Sequence, residues 1–172
     1  MPDEVHKARS KDYRERQWSN WFEQRPAGEI LIVLTDDETV VGFALSKPNN
    51  DSDIDAAGEM HAGYILPDYR GGISGPALMK ALAERMQSLG QWPACIWAFK
   101  ENPHRRFYTA LGWHPVVERD RVIAGAAIPE VGYTSPDYSD LSGRLDRMLA
   151  SAVQRQTRQP SQPTADRAHL AS

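Results

Sequence analysis

A glycine-rich turn between a β-strand and an α-helix is the feature that most constrains the fold. Residues 59–66 have the apolar content of a strand, and residues 76–89 carry a leucine and methionine stripe at helical spacing. Three glycines lie between these segments, namely Gly71, Gly72 and Gly75. A strand that leads through such a turn into a helix brings backbone N–H groups and the positive end of the helix dipole together. The pattern predicts an α/β protein with an anion-binding turn.

The remaining segments are consistent with a mixed sheet and flanking helices. Strands are predicted at residues 29–34, 40–45, 59–66, 95–99, 116–119 and 131–134, and the first two form a hairpin. Helices are predicted at residues 12–24, 76–89 and, capped by Asn102, up to Gly112. Exposed loops or turns are predicted at residues 47–55 and 120–129. Gly63 inside the third strand indicates a β-bulge or a close backbone approach.

The chain of 172 residues is long enough for one domain with its own core, which we place at residues 1–136. Residues 137–157 predict an amphipathic helix, and the polar residues 158–172 predict a disordered tail. The apolar stripe of that helix indicates packing either on its own domain or on a second subunit, which makes a homodimer one expectation.

Composition excludes several classes of protein. The formal charge of -3 gives no general attraction to nucleic acid or to an anionic membrane surface. The single cysteine, Cys95, permits no intramolecular disulfide and no thiolate metal cluster, so no metal site is expected. No segment has the length and hydropathy of a membrane span or the pattern of a signal peptide. We therefore predict a cytoplasmic protein that binds neither nucleic acid nor membrane.

Two separated motifs carry a family resemblance. The first is the segment 59–78, and the second, residues 102–113, ends in Arg-Arg-Phe-Tyr-Thr-Ala-Leu-Gly-Trp. In this order they resemble the GNAT N-acetyltransferases, and the resemblance spans residues 13–134. It implies a strongly twisted mixed sheet flanked by helices and splayed open between two central parallel strands. It also implies a strand and a helix ahead of Tyr13, which this sequence largely lacks.

The resemblance further implies acetyl-CoA as co-substrate and assigns residues to it. The pantetheine arm would pair with the backbone of Tyr64, Ile65 and Leu66. The diphosphate would lie on the glycine-rich turn, with further contacts from the second motif; the residues so implied are Arg70, Gly71, Gly72, Ile73, Ser74, Gly75, Ala77, Asn102 and Tyr108. His104, Arg105 and Arg106 follow the Asn-Pro cap and are candidates for contacts with the coenzyme phosphates, with a solvated helix face as the alternative. Ile73 stands where the family has glycine, and Pro76 has no N–H to donate, so both are departures that weaken the predicted turn.

Transfer of an acetyl group to an amine needs a base for the amine and an acid for the departing thiolate. The resemblance implies Tyr108 as the acid. Glu59 and His61 are both candidates for the base, since the two-residue period of a strand places them on one face. The apolar neighbours of Cys95 favour an inert thiol, so direct attack on the thioester is expected. The amine of a small molecule or of a peptide remains open as acceptor, and a non-catalytic acyl-CoA-binding or interaction protein is the alternative.

Overall fold

The computed structural model of the protein describes residues 10–158. Its strands are β1 (Ile30–Asp36), β2 (Thr39–Pro48), β3 (Gly58–Ile65), β4 (Ala94–Phe99), β5 (His114–Ile123) and β6 (Ala126–Thr134). Its α-helices are α1 (Lys11–Gln24), α2 (Ser74–Ser88), α3 (Arg105–Ala110) and α4 (Tyr138–Arg158). The predicted tail, apart from Arg158, and the segment ahead of residue 10 lie outside the described residues. No helix in the described range combines the length and the apolar character needed to cross a membrane.

The six strands form one mixed sheet in the order β1-β2-β3-β4-β6-β5. All neighbours are antiparallel except β3 and β4, which are parallel. Their pairing is short, because only Gly58 with Ala94 and Glu59 with Cys95 lie in register. Beyond these two pairs β3 and β4 diverge and leave a V-shaped opening in the middle of the sheet. The predicted fold class, with its splay between the two central parallel strands, is confirmed.

A β-bulge lies where β3 leaves β4. In the pairing with β2, Leu45 lies opposite Ala62 and Ser46 lies opposite Met60, so His61 is an extra residue on β3. Such an insertion bends the strand and redirects its side chains. The bulge suggested at Gly63 is therefore wrong by two residues, because Gly63 pairs in register with Ala44. A bulge that keeps a negative φ needs no glycine, so the sequence carries no clear mark of it.

Helices α2 and α4 pack on the same core. From α2, Leu82 and Met86 are buried, and from α4 both Leu141 and Leu145 are completely buried in that cluster. The apolar stripe of α4 therefore packs on its own domain, which was one of the two expectations for it. The homodimer stays a prediction without support from this stripe.

Two predicted loops are corrected by the structure. Strand β2 continues to Pro48, and Ile54 within the predicted exposed loop is only 4% exposed. Residues 120–129 are largely strand, because β5 and β6 form a long hairpin that turns at Ala124 and Gly125, both with positive φ. The polar residues suggested a turn, but Arg119 pairs across the strands with Glu130, Nε to Oε1 at 2.9 Å.

Candidate functional site

A cavity of about 970 Å³ occupies the opening between β3 and β4. Its strand wall comprises residues 61–65 of β3, residues 70–72 of the turn, and Gly75 and Pro76 in the first turn of α2. Its helical wall comprises α3 and the side of α4 that faces the opening. The predicted site residues that border the cavity are His61, Tyr64, Ile65, Arg70, Gly71, Gly72, Gly75, Asn102 and Tyr108. Those that do not border it are Glu59, Leu66, Ile73, Ser74, Ala77 and Arg106.

The glycine-rich turn presents a run of free donors, which we call the amide loop (residues 71–75). Within the described part of the chain, none of its five N–H groups donates a hydrogen bond to another residue. Gly71 has φ +78°, a conformation that only glycine adopts readily. A Cβ built at Gly71 or Gly72 would meet nothing within 4 Å, so the space over the loop is open. Pro76 ends the run because it has no N–H. The loop can therefore solvate an anion through its backbone.

Arg70 lies at the mouth of the strand wall. Its Nε donates to the carbonyl oxygen of Ile65 at 2.7 Å, and its guanidinium carbon lies 5.4 Å from the centre of the Tyr64 ring. The guanidinium therefore stabilises the end of β3 as well as adding positive charge beside the amide loop. One carbonyl of the stretch predicted to pair with pantetheine is already engaged by this arginine.

Glu59 and His61 form a pair at the bulge. The His61 Nδ1 lies 2.6 Å from Glu59 Oε1, and Lys47 Nζ lies 3.3 Å from Oε2. Burial raises the pKa of Glu59, but the hydrogen bond and charge of His61, together with Lys47, outweigh burial and hold the pKa below its ordinary value. An ionised, low-pKa carboxylate is a poor proton acceptor but a good partner for an imidazole N–H. His61, which borders the cavity, is left with Nε2 to accept a proton, and Glu59 orients it.

Tyr108 of α3 borders the cavity on the helical wall. Its ring centroid lies 6.3 Å from that of Phe107 and 5.9 Å from that of Tyr133. Burial, and then the neighbouring Tyr133, raise the pKa of the Tyr108 hydroxyl. The hydroxyl is therefore protonated at neutral pH and can donate a proton into the cavity.

The start of α3 differs from the prediction. The helix begins at Arg105 rather than directly after Asn102, whose Oδ1 accepts a hydrogen bond from the backbone N–H of His104 at 2.9 Å. Asn102 thus shapes the turn before the helix, while it and His104 border the cavity. Arg105 is engaged by Tyr133, with Nε donating to the hydroxyl at 2.6 Å. Arg106 is exposed and does not border the cavity.

Cys95 and the aromatic residues of α1 lie away from the cavity. Cys95 is completely buried, and burial raises the pKa of its thiol to about 12, which leaves almost no thiolate at neutral pH. Trp18 packs edge-on against Phe43 with ring centroids 5.0 Å apart, and the indole N–H of Trp21 donates to Glu29. These side chains contact other residues of the protein and do not border the cavity.

Three arginines of α4 border the cavity and were not among the predicted site residues. They are Arg144, Arg147 and Arg155. Their spacing by three and then eight residues places them on one side of a helix, which is a signal present in the sequence. No local pattern indicates that this helix returns across the opening in the sheet, so the arginines were not predicted to border a site.

The splayed mixed sheet, and the strand that leads through free amides into a helix, are features that the resemblance to the GNAT N-acetyltransferases implies. Residues 2–113, more than half of the chain, match the acetyltransferase (GNAT) family. The chain belongs to this family, and the class of enzyme is an N-acetyltransferase.

Individual relatives agree with this assignment. The chain is 29% identical over 132 residues to the uncharacterized N-acetyltransferase YuaI of Bacillus subtilis (strain 168), covering 77% of this chain and 76% of the relative. A GNAT-family acetyltransferase structure from Desulfovibrio desulfuricans superposes with a TM-score of 0.60 at 16% identity, covering 72% of this chain and 78% of that one. An acetyltransferase from Salmonella typhimurium, solved with its cofactor acetyl-CoA, superposes with a TM-score of 0.56 at 15% identity, covering 70% and 71%. The structural likenesses establish the fold.

Proposed function

We propose that this N-acetyltransferase uses acetyl-CoA as its co-substrate and transfers the acetyl group directly to an amine. The observation that carries the proposal is an unpaired strand edge. After Glu59, the edge of β3 that faces β4 pairs with no strand among residues 10–158, and it leads along the cavity to the amide loop. An unpaired edge can hydrogen-bond an extended, amide-containing arm. Pantetheine is such an arm, and the Salmonella typhimurium relative was solved with acetyl-CoA.

The coenzyme would lie along the strand wall. Its diphosphate would accept hydrogen bonds from the amide loop, backed by the start of α2. Its pantetheine arm would follow the free edge of β3 near Tyr64 and Ile65. Leu66 does not border the cavity, and its N–H already donates to the carbonyl of Val41 at 2.9 Å. Leu66 would therefore hold the end of β3 in place rather than donate to the coenzyme. This placement brings the thioester towards His61 on one side and Tyr108 on the other.

The chemistry would proceed in a ternary complex. The neutral amine attacks the thioester carbonyl, the new C–N bond forms, and the C–S bond breaks with its electron pair leaving on sulfur. His61, oriented by Glu59, would accept the proton that the amine loses, directly or through water. Tyr108 would donate a proton to the departing thiolate. Cys95 would take no part, since its thiol is buried. The acceptor we propose is an amine of a small molecule or a peptide.

Thermal unfolding with and without acetyl-CoA tests the first step. A ligand that binds only the native state stabilises it by RT ln(1 + [L]/Kd), so saturating acetyl-CoA should raise the melting temperature by several degrees. Thiol release over a panel of small and peptide amines then tests transfer. An unchanged melting temperature at millimolar acetyl-CoA would contradict the proposal. A clear shift with no thiol release for any amine would favour the non-catalytic alternative.

A further inference from the structure

The side of α4 that faces the cavity carries most of the cavity's positive charge. Arg144, Arg147 and Arg155 border the cavity together with Met148 and Ser151. Along the sequence, neighbouring residues of this set are one, three or four positions apart, so the five residues form one continuous face of the helix. This face lies beside the apolar face that packs on the core, and it is therefore held in place by buried residues.

Helix α4 runs antiparallel to α2 and ends beside the amide loop. Tyr138, at the start of α4, packs against Trp92, which follows the end of α2, with ring centroids 5.7 Å apart. Further along, Asp146 pairs with Lys80, which lies six residues from the start of α2. Because a helix rises about 1.5 Å per residue, six more residues of α4 reach the level of that start. Arg155 therefore lies near the turn that presents the free amides, and it borders the same cavity.

The charge around the cavity is unbalanced. Of the residues that the structure describes, four arginines border it, including Arg70, and no aspartate or glutamate does. Two acids of α4 lie nearby: Asp140 pairs at 3.5 Å with Arg144 and so offsets one of these four charges, whereas Asp146 pairs with Lys80. Among residues 10–155, whose side chains the structure describes, the guanidinium groups of Arg147 and Arg155 have no ion-pair or hydrogen-bond partner. In a chain with a formal charge of -3, such a concentration of free guanidinium groups favours a polyanionic ligand.

We propose that Arg147 and Arg155 bind phosphate groups of the coenzyme, so that α4 completes the coenzyme site from the helical wall. This inference rests on the proposed use of acetyl-CoA. Guanidinium groups bind phosphate through charge-assisted, forked hydrogen bonds. The two arginines would supply hydrogen-bond donors that the strand wall lacks. Pro76 provides no N–H there, and the Nε of Arg70 already donates to the carbonyl of Ile65.

The test compares two thioesters across matched variants of the full chain. Dissociation constants for acetyl-CoA and for S-acetylpantetheine, which has no nucleotide phosphates, are measured for wild type, Arg147→Ala, Arg155→Ala and Arg85→Ala. We expect each α4 variant to weaken acetyl-CoA binding about tenfold and to leave S-acetylpantetheine binding unchanged. Arg85, an exposed arginine of α2 that does not border the cavity, serves as the control, and its variant should bind both ligands like wild type.

A third ligand, acetyl-3′-dephospho-CoA, locates the contact. If the arginines bind the 3′-phosphate, this ligand binds wild type and the α4 variants equally; if they bind the diphosphate, the tenfold difference remains. Equal affinity of wild type and the double variant Arg147→Ala/Arg155→Ala for acetyl-CoA would overturn the inference. So would an equal loss for S-acetylpantetheine, which indicates a general structural defect. Failure of the wild-type chain itself to bind acetyl-CoA would instead overturn the proposed function, and this inference with it.

Discussion

The two walls of the cavity contribute different chemistry. The strand wall offers mainly backbone groups, because the N–H and carbonyl groups of the amide loop and of the free edge of β3 depend little on side-chain identity. The helical wall offers side-chain groups, namely the hydroxyl of Tyr108 and the guanidinium groups of α4. Substitutions on the two walls should therefore have different effects on coenzyme binding and turnover. On the helical wall, removing a side chain should lower turnover or coenzyme affinity. On the strand wall, coenzyme affinity should instead depend on the number of backbone donors.

The largest effect is expected on the helical wall. Tyr108→Phe removes the hydroxyl proposed to protonate the thiolate but keeps the ring that packs against Phe107 and Tyr133. We expect kcat to fall about 100-fold, while the dissociation constant for acetyl-CoA changes less than about threefold. Steady-state kinetics of thiol release with the best amine of the panel, together with a binding titration, measure both. Wild-type turnover in the variant would remove Tyr108 from the mechanism.

On β3, unlike the rest of the strand wall, one side-chain pair is expected to affect a measurable property. This pair is Glu59 and His61, and the property is the free energy of unfolding. Glu59 is nearly buried, and its replacement by Gln removes a charged hydrogen bond to His61, so we expect a loss of about 1–3 kcal/mol of stability at pH 7. Because the pKa of Glu59 is lowered in the folded state, its stabilisation is present above the unfolded-state pKa of about 4.3 and is lost as pH falls through the folded pKa. The difference between wild type and variant should therefore shrink below about pH 4.

Denaturant unfolding at a series of pH values measures this difference. Glu118→Gln is the matched control, since the pKa of Glu118 is also lowered, by the hydrogen bond and charge of Lys100, but the pair is exposed. Exposed ion pairs contribute little, so this variant should follow wild type throughout. A difference for Glu59→Gln that persists unchanged to pH 3 would show that the carboxylate charge is not its cause.

The smallest effect is expected for acetyl-CoA affinity on the strand wall, where two variants distinguish a backbone contribution from a side-chain contribution. Pro76→Ala supplies the N–H that the amide loop lacks at its end, so acetyl-CoA affinity should rise about three- to tenfold. Ser74→Ala removes a side chain of the same loop but keeps the N–H, so affinity should stay within about twofold. Titration of both variants with acetyl-CoA distinguishes these cases. A large loss in Ser74→Ala, or no gain in Pro76→Ala, would count against recognition by the backbone.

Elements whose conformation depends on neighbouring residues could be predicted from the sequence. Residues 64–78 carry a strand, a glycine-rich turn and a helix start in consecutive positions, so the amide loop is readable from turn and helix rules alone. Tyr108 was proposed on different grounds, namely the family resemblance of one short motif, residues 102–113. The order of strands and helices also follows from periodicity, and with the family resemblance it was enough for the fold class.

Features that join distant segments of the chain could not be predicted in this way. The bulge at His61 depends on how β3 pairs with β2, and Gly63 was the wrong clue. The hairpin of β5 and β6 has polar residues that satisfy one another across strands, so it looked like a turn. The arginine face of α4 becomes part of the cavity only because buried Leu141 and Leu145 hold the helix against the core. Such contacts depend on packing between residues far apart in the chain, which no local pattern encodes.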